Sequence, residues 1–99
     1  MYAVIFRAQI KDPKNIDSTY SAMAARMREL ATTQYGCIDF SSVTEGESEI
    51  SISYWESMEQ ISAWKSDPEH QQAQGLGQSR WYRSYHVEVV KVERQYQSD

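Results

Sequence analysis

The sequence predicts an α+β domain of the ferredoxin-like kind, β-α-β-β-α-β, with a four-stranded antiparallel sheet and its helices on one side. Three observations carry that prediction. Four runs alternate with period two, at residues 1–10, 37–43, 49–55 and 82–96. From about Asp17 to Tyr35 the apolar residues instead repeat every 3.6 positions. A second helical stretch separates the last two runs and carries its own start signals, at Ser57 and at Asp67-Pro68.

In the first run Tyr2, Val4, Phe6, Ala8 and Ile10 share one face, and Ala3, Ile5, Arg7 and Gln9 the other. The even face is apolar throughout; the odd face is apolar at its start. A strand half-dry on its second side implies a cover there too, which a lone two-layer domain does not supply. Residues 11–15 form a polar turn around Pro13. Asp17 then caps a helix whose inward stripe is Tyr20, Met23, Ala24, Met27, Leu30 and Ala31, and Tyr35-Gly36 stops it.

Runs 37–43 and 49–55 read as a hairpin around the glycine-containing loop 44–48. In the second of them Ile50, Ile52 and Tyr54 occupy one face, and Ser51, Ser53 and Trp55 the other. Ser57 to Gln60 fits a capping box, which opens a short helix with Met58, Ile61 and Trp64 inward. Asp67-Pro68 restarts the helix; His70, Ala73 and Gly77 fall on one side, and Gly75 and Gly77 end it. The last run puts Tyr85, Val87 and Val89 on one face and Val90 and Val92 on the other. The uncovered face of such a sheet is most simply hidden by the same face of a second copy, so a homodimer with facing sheets is expected. The reading is one domain over residues 1–96 and a polar tail at 97–99.

Composition narrows the function classes. A net charge of −4 and a pI near 5.1 speak against a broad phosphate-binding surface, so no nucleic-acid partner is expected. No run approaches a membrane span, and Met1 leads straight into a strand pattern; a cytoplasmic protein without a membrane partner is expected. One cysteine, Cys37, has no internal partner for a disulfide and no activating base nearby in sequence, which suits a small buried group. Two distant histidines offer no metal-ligand spacing, so no metal site is expected. Gly75-Leu76-Gly77 follows a helix instead of leading into one, the wrong context for a phosphate loop.

The most specific stretch is YWESMEQISAWKSDPEH at 54–70, followed by RWYRSYHVEV at 80–89. It has a tryptophan closing the third strand (Trp55), a Ser-Met-Glu-Gln-Ile-Ser-Ala-Trp helix ending in Trp64, the Asp-Pro-Glu-His continuation with His70, and the Trp81-Tyr82 pair. This resembles the antibiotic biosynthesis monooxygenase-like family of dimeric α+β barrel proteins, over nearly the whole chain. The resemblance implies a homodimer whose subunits each bind a small, flat phenol or quinol between sheet and helices. It also implies oxidation by molecular oxygen with no cofactor, the substrate's own electrons reducing the oxygen. On this reading His70 and Tyr82 are the catalytic candidates, and Phe6, Trp64 and Trp81 line the substrate space. Tyr85 is an alternative hydrogen-bond donor to a phenolic oxygen, and Arg80 favours its anion. The family's haem-degrading members use a histidine and an asparagine at positions that align with Ala73 and Phe6 here, which disfavours haem.

Each candidate also has a plainer explanation. Trp64 shares a helical stripe with Met58 and Ile61, the pattern of ordinary core, and Trp55 closes a strand. An imidazole such as His70 serves as readily in a cap or core hydrogen bond as in catalysis. RWYRSYH interleaves bases and rings, but strand-edge and dimer packing explains it without single-stranded nucleic acid. The leading reading is therefore a cofactor-independent monooxygenase acting on a small aromatic molecule. A non-enzymatic dimer holding a small molecule is the main rival, and a haem-binding or haem-degrading protein is the third.

Overall fold

A computed structural model describes residues 1–98. The order is β1 (Tyr2–Ile10), a 3-10 turn (Pro13–Asn15), α1 (Ser18–Thr33), β2 (Asp39–Glu45), β3 (Ser48–Trp55), α2 (Met58–Lys65), α3 (Pro68–Leu76), a π-helical turn (Gly77–Trp81) and β4 (Tyr82–Lys91). The strands form one antiparallel sheet in the order β2-β3-β1-β4. This is the predicted α+β, ferredoxin-like arrangement. The even face of β1 lies under the helices: Val4 and Trp55 pack with Met27, Leu30 and Ala31 of α1, Cys37, and Ile61 and Trp64 of α2. No helix among the described residues is long and apolar enough to cross a membrane.

The local signals act as their chemistry requires. The Asp17 carboxylate accepts from the Tyr20 N–H, and Ser57 and Gln60 cap each other reciprocally. Asp67 accepts from the Glu69 N–H, with Pro68 at the first helical position. Gly36 takes φ +79° after α1, which lets the Cys37 N–H return to the Ala31 carbonyl at 2.9 Å.

Several boundaries and orientations differ from the periodicity. The hairpin turn contracts from 44–48 to Gly46-Glu47, because Gly46 at φ +61° lets Thr44 and Glu45 stay paired with Glu49 and Ser48. β2 starts at Asp39 instead of Cys37, whose N–H is engaged by the helix end. Ala24 is exposed, since the three buried residues of α1 all lie in its C-terminal half. Met58 is 43% exposed instead of inward. Helical side chains lean toward the N-terminus, so one at the first position reaches past the end of its helix. Gly75 and Gly77 do not end the helical path, which continues through the π-helical turn to Trp81. β4 stops at Lys91, short of Tyr96, because its neighbour β1 runs out: Tyr2 pairs with Lys91, and the Val92 N–H reaches the Met1 carbonyl at 3.0 Å. Of the expected tail at 97–99, Asp99 lies outside the described residues.

Candidate active site

The strand ladders set the helix-facing side chains in rows across the sheet. Glu49, Ala8 and Tyr85 form one row, Ser51, Phe6 and Val87 the next, and Ser53, Val4 and Val89 the third. The flanking rows are buried at the sheet centre, with Ala8 and Glu49 at 3% and 7% exposure and Val4 and Ser53 at 8% and 3%. The middle row is not. Phe6 and Ser51 are half-buried, while the β4 members of all three rows, Tyr85, Val87 and Val89, are exposed. The helix layer thus covers the middle of the sheet less completely, leaving a floor of Phe6 and Ser51.

Two aromatic groups flank that floor. On the side of the first row, Tyr20 meets Trp81 edge-on at 5.2 Å and Tyr82 at 6.3 Å, and the Phe6 ring lies 5.4 Å from Tyr82 and 6.0 Å from Tyr85. On the side of the third row, Phe40 opposes Ser53 and meets Trp64 at 6.1 Å. Trp64 lies 5.1 Å from Trp55 and 4.3 Å from His70. Trp64 and His70 are therefore in ring contact, with no gap between them, while Trp81 belongs to the opposite group. Among the candidates the fold brings Trp64 to His70 and Phe6 to Tyr82.

Tyr82 owes its position to an irregularity in the β1/β4 ladder. Gln9 pairs with Ser84 but Ile10 pairs with Tyr82, so Arg83 is passed over. In unbroken alternation Tyr82 and Tyr85 would face opposite sides; one extra residue turns both toward the helices. Gly77 makes room for the ring, since a Cβ there would lie 2.9 Å from Tyr82 Cδ2 and Cε2.

The group that sequence reasoning missed is Glu49. Its carboxylate sits between two phenols: Tyr20 Oη donates to Oε1 at 2.5 Å, and Tyr82 Oη donates to Oε2 at 2.8 Å. Burial first, and the Glu49 carboxylate after it, push both tyrosine hydroxyls well above their ordinary value, so both stay protonated. Among the described residues Glu49 has no ion-pair partner. Arg80, expected to favour an anion, bonds Asp17 at 2.7 Å, and Arg83 bonds Glu47 at 3.0 Å. The one available signal was parity: Glu49 alternates with Ser51, Ser53 and Trp55, so a buried Trp55 carries the carboxylate to the same face.

His70 is held by the polar contacts that tie α3 to α1. Arg26 forks onto Glu69 at 2.8 and 3.0 Å, and Tyr35 Oη donates to Asp67 at 2.6 Å. Burial lowers the His70 pKa, Lys65 adds to that, and Asp67 opposes it, which leaves a neutral imidazole at neutral pH. His70 Nδ1, Trp64 Nε1 and Trp81 Nε1 are buried and make no hydrogen bond to the described residues. Buried polar atoms of this kind cost about 1–3 kcal/mol each until something satisfies them. Burial raises the Cys37 thiol, which stays protonated in the core. No cluster of three His, Cys, Asp or Glu residues suited to a metal occurs among the described residues. A surface hollow of about 430 Å³ lies elsewhere, between the end of α1 and α2, and holds none of the candidates.

Comparison with known proteins agrees with this architecture. A profile of the family described as antibiotic biosynthesis monooxygenase matches residues 1–76. The chain belongs to the antibiotic biosynthesis monooxygenase family. It is 44% identical over 95 residues to the uncharacterized protein YqjZ of Bacillus subtilis (strain 168), covering 95% of this chain and 81% of that one. Among solved structures, SnoaB of Streptomyces nogalater, a cofactor-independent oxygenase, superposes with a TM-score of 0.79 at 10% identity, covering 98% and 97% of the two chains. Rv0793 of Mycobacterium tuberculosis superposes with a TM-score of 0.80 at 15% identity, covering 97% and 98%. At those identities the two structures establish a shared fold: this chain has the monooxygenase-like fold of the family.

Proposed function

We propose that the protein is a cofactor-independent monooxygenase of small phenolic or quinol-like aromatic molecules. The observation that carries this reading is the half-buried Phe6–Ser51 floor, flanked by aromatic groups whose buried ring nitrogens have no hydrogen-bond partner among the described residues. A flat substrate lies on Phe6 between the Tyr82/Trp81 and Trp64/His70 groups. A neutral His70 takes a proton, the Tyr82 hydroxyl hydrogen-bonds the phenolic oxygen, and the electron-rich anion reacts with oxygen. The balance closes without a cofactor. For an anthrone-type phenol, the ring methylene gives up two hydrogens, one oxygen atom becomes its carbonyl, and the other leaves as water. The family membership supports this chemistry, and the lowered His70 pKa supports its role as a base.

The active form in this proposal is a homodimer. The face turned away from the helices carries Val43 opposite Ile50, Ile5 opposite Ile52, and Ala3 opposite Tyr54 and Val90. Val43 is 67% exposed there, with Ile50 and Val90 also open, an apolar surface that a second copy would cover. Sedimentation that finds a single-copy species at micromolar concentration would remove the dimer. For the activity, oxygen uptake is followed with a panel of quinols and anthrone-type phenols. The expected result is uptake above the buffer rate, reduced about 100-fold or more by His70→Ala or Tyr82→Phe. Uptake at the buffer rate, with an aromatic ligand retained unchanged, would make this a non-enzymatic small-molecule-binding dimer instead.

A further inference from the structure

Glu49 stands outside the roles given above to His70 and Tyr82. Its carboxylate is buried one row from Phe6 and Ser51, is held by two neutral phenols, and has no cation partner among the described residues. A buried charge so placed is costly to keep, yet each oxygen accepts one phenol proton and has a further lone pair to offer. A hydroxyl donor suits it; an anion does not. The nearby cations are committed to other carboxylates, Arg80 to Asp17 and Arg83 to Glu47, while Lys11 donates to the Ser79 carbonyl. The other titratable neighbours, Tyr20 from α1 and Tyr82 from β4, are uncharged.

We propose that Glu49, working through Tyr82, restricts the Phe6–Ser51 floor to uncharged, hydroxyl-bearing aromatic ligands. The ligand hydroxyl docks on Tyr82 Oη, whose ring lies against the Phe6 floor. Tyr82 keeps its proton on Glu49 Oε2, so its oxygen can only accept the ligand's O–H, and an anion meets the carboxylate without a donor between them. Tyr20 is a positioning residue that holds the other carboxylate oxygen. The assignment rests on the Phe6–Ser51 floor being the ligand site, as proposed above, but not on the oxygen chemistry.

The test uses para-nitrophenol, whose absorbance distinguishes phenol from phenolate, and para-nitrobenzoate, which is anionic near neutral pH. Each is titrated into the parent chain, Glu49→Gln and Tyr82→Phe, all with matching circular dichroism. Glutamine can keep both tyrosine contacts, and Tyr82→Phe supplies the test if Glu49→Gln fails to fold. The parent should bind nitrophenol in its neutral form, about tenfold or more tighter than nitrobenzoate, and more weakly as pH rises through the probe's ionisation. Glu49→Gln should erase most of that preference and admit the coloured anion; Tyr82→Phe should weaken nitrophenol while leaving nitrobenzoate unchanged. Equal binding of the two probes, preference for the anion, no binding of either at millimolar concentration, or an unchanged preference in Glu49→Gln would overturn the assignment. Neutral-phenol preference without oxygen uptake keeps this site and removes the oxygenase reading. Oxygen uptake with preference untouched by Glu49→Gln does the reverse.

Discussion

Replacing Gly77 with alanine tests whether close packing of the π-helical turn is what sets Tyr82 on Glu49. Gly77 has φ −58°, an ordinary helical value, so alanine meets no backbone strain there. By propensity alone the change would stabilise the chain by up to about 1 kcal/mol. The new Cβ, however, would lie 2.9 Å from both Cδ2 and Cε2 of Tyr82, well inside van der Waals contact. Relief needs a shift of about 0.5–1 Å, the overpacking regime that costs roughly 1–3 kcal/mol. Such a shift takes the 2.8 Å bond from Tyr82 Oη to Glu49 toward the limit of hydrogen bonding, and a bond to a charged group is worth about 1.5–3 kcal/mol. The net expectation is a loss of about 1–3 kcal/mol, or a melting temperature lower by at least about 4 °C for a chain of this size. Gly75→Ala is the control. It sits in α3 with nothing within 4 Å of its added Cβ, so it should be neutral or stabilise by about 0.5 kcal/mol. Urea unfolding of the two variants and the parent decides the matter. If Gly77→Ala is as stable as Gly75→Ala, the proposed approach of backbone to ring is wrong.

Gly36→Ala should destabilise more simply. It forces a non-glycine residue to φ +79° and sets its Cβ 2.6 Å from Gln60 Nε2, whose amide is engaged in the capping box, so a loss of at least about 1 kcal/mol is expected in thermal unfolding. A melt within error of the parent would contradict it. His70 predicts a pH dependence. Its folded pKa lies below 6.5, so between 6.5 and the lower folded value the unfolded chain binds a proton that the folded chain refuses. Its contribution is complete above 6.5 and declines as pH falls through that window. Urea midpoints at about pH 7.5 and about pH 5.5 should therefore differ more in the parent than in His70→Gln, and equal slopes would refute the burial argument. Asp67 and Glu69 also lose stabilising charge on acidification, but from below their ordinary 3.8 and 4.5, beneath both pH values compared.

The sequence by itself determined the element order, because alternation and helical periodicity follow from backbone geometry over a few neighbouring residues. Its caps at Asp17, Ser57 and Asp67 were legible for the same reason: each is a side chain meeting an N–H two or three positions away. The tertiary structure decided which face of β3 turned inward. Ile50, Ile52 and Tyr54 look like a core face, yet the helices cover Glu49, Ser51, Ser53 and Trp55, since register with the even face of β1 sets the side. It also decided Tyr82, whose direction depends on a skipped residue in the ladder that leaves no mark in the alternation. The Glu49–Tyr20–Tyr82 group joins positions 29 and 33 residues apart, so no local spacing announces it. Local propensity is read from a short window; which side of a sheet is dry depends on what the distant parts of the chain lay across it.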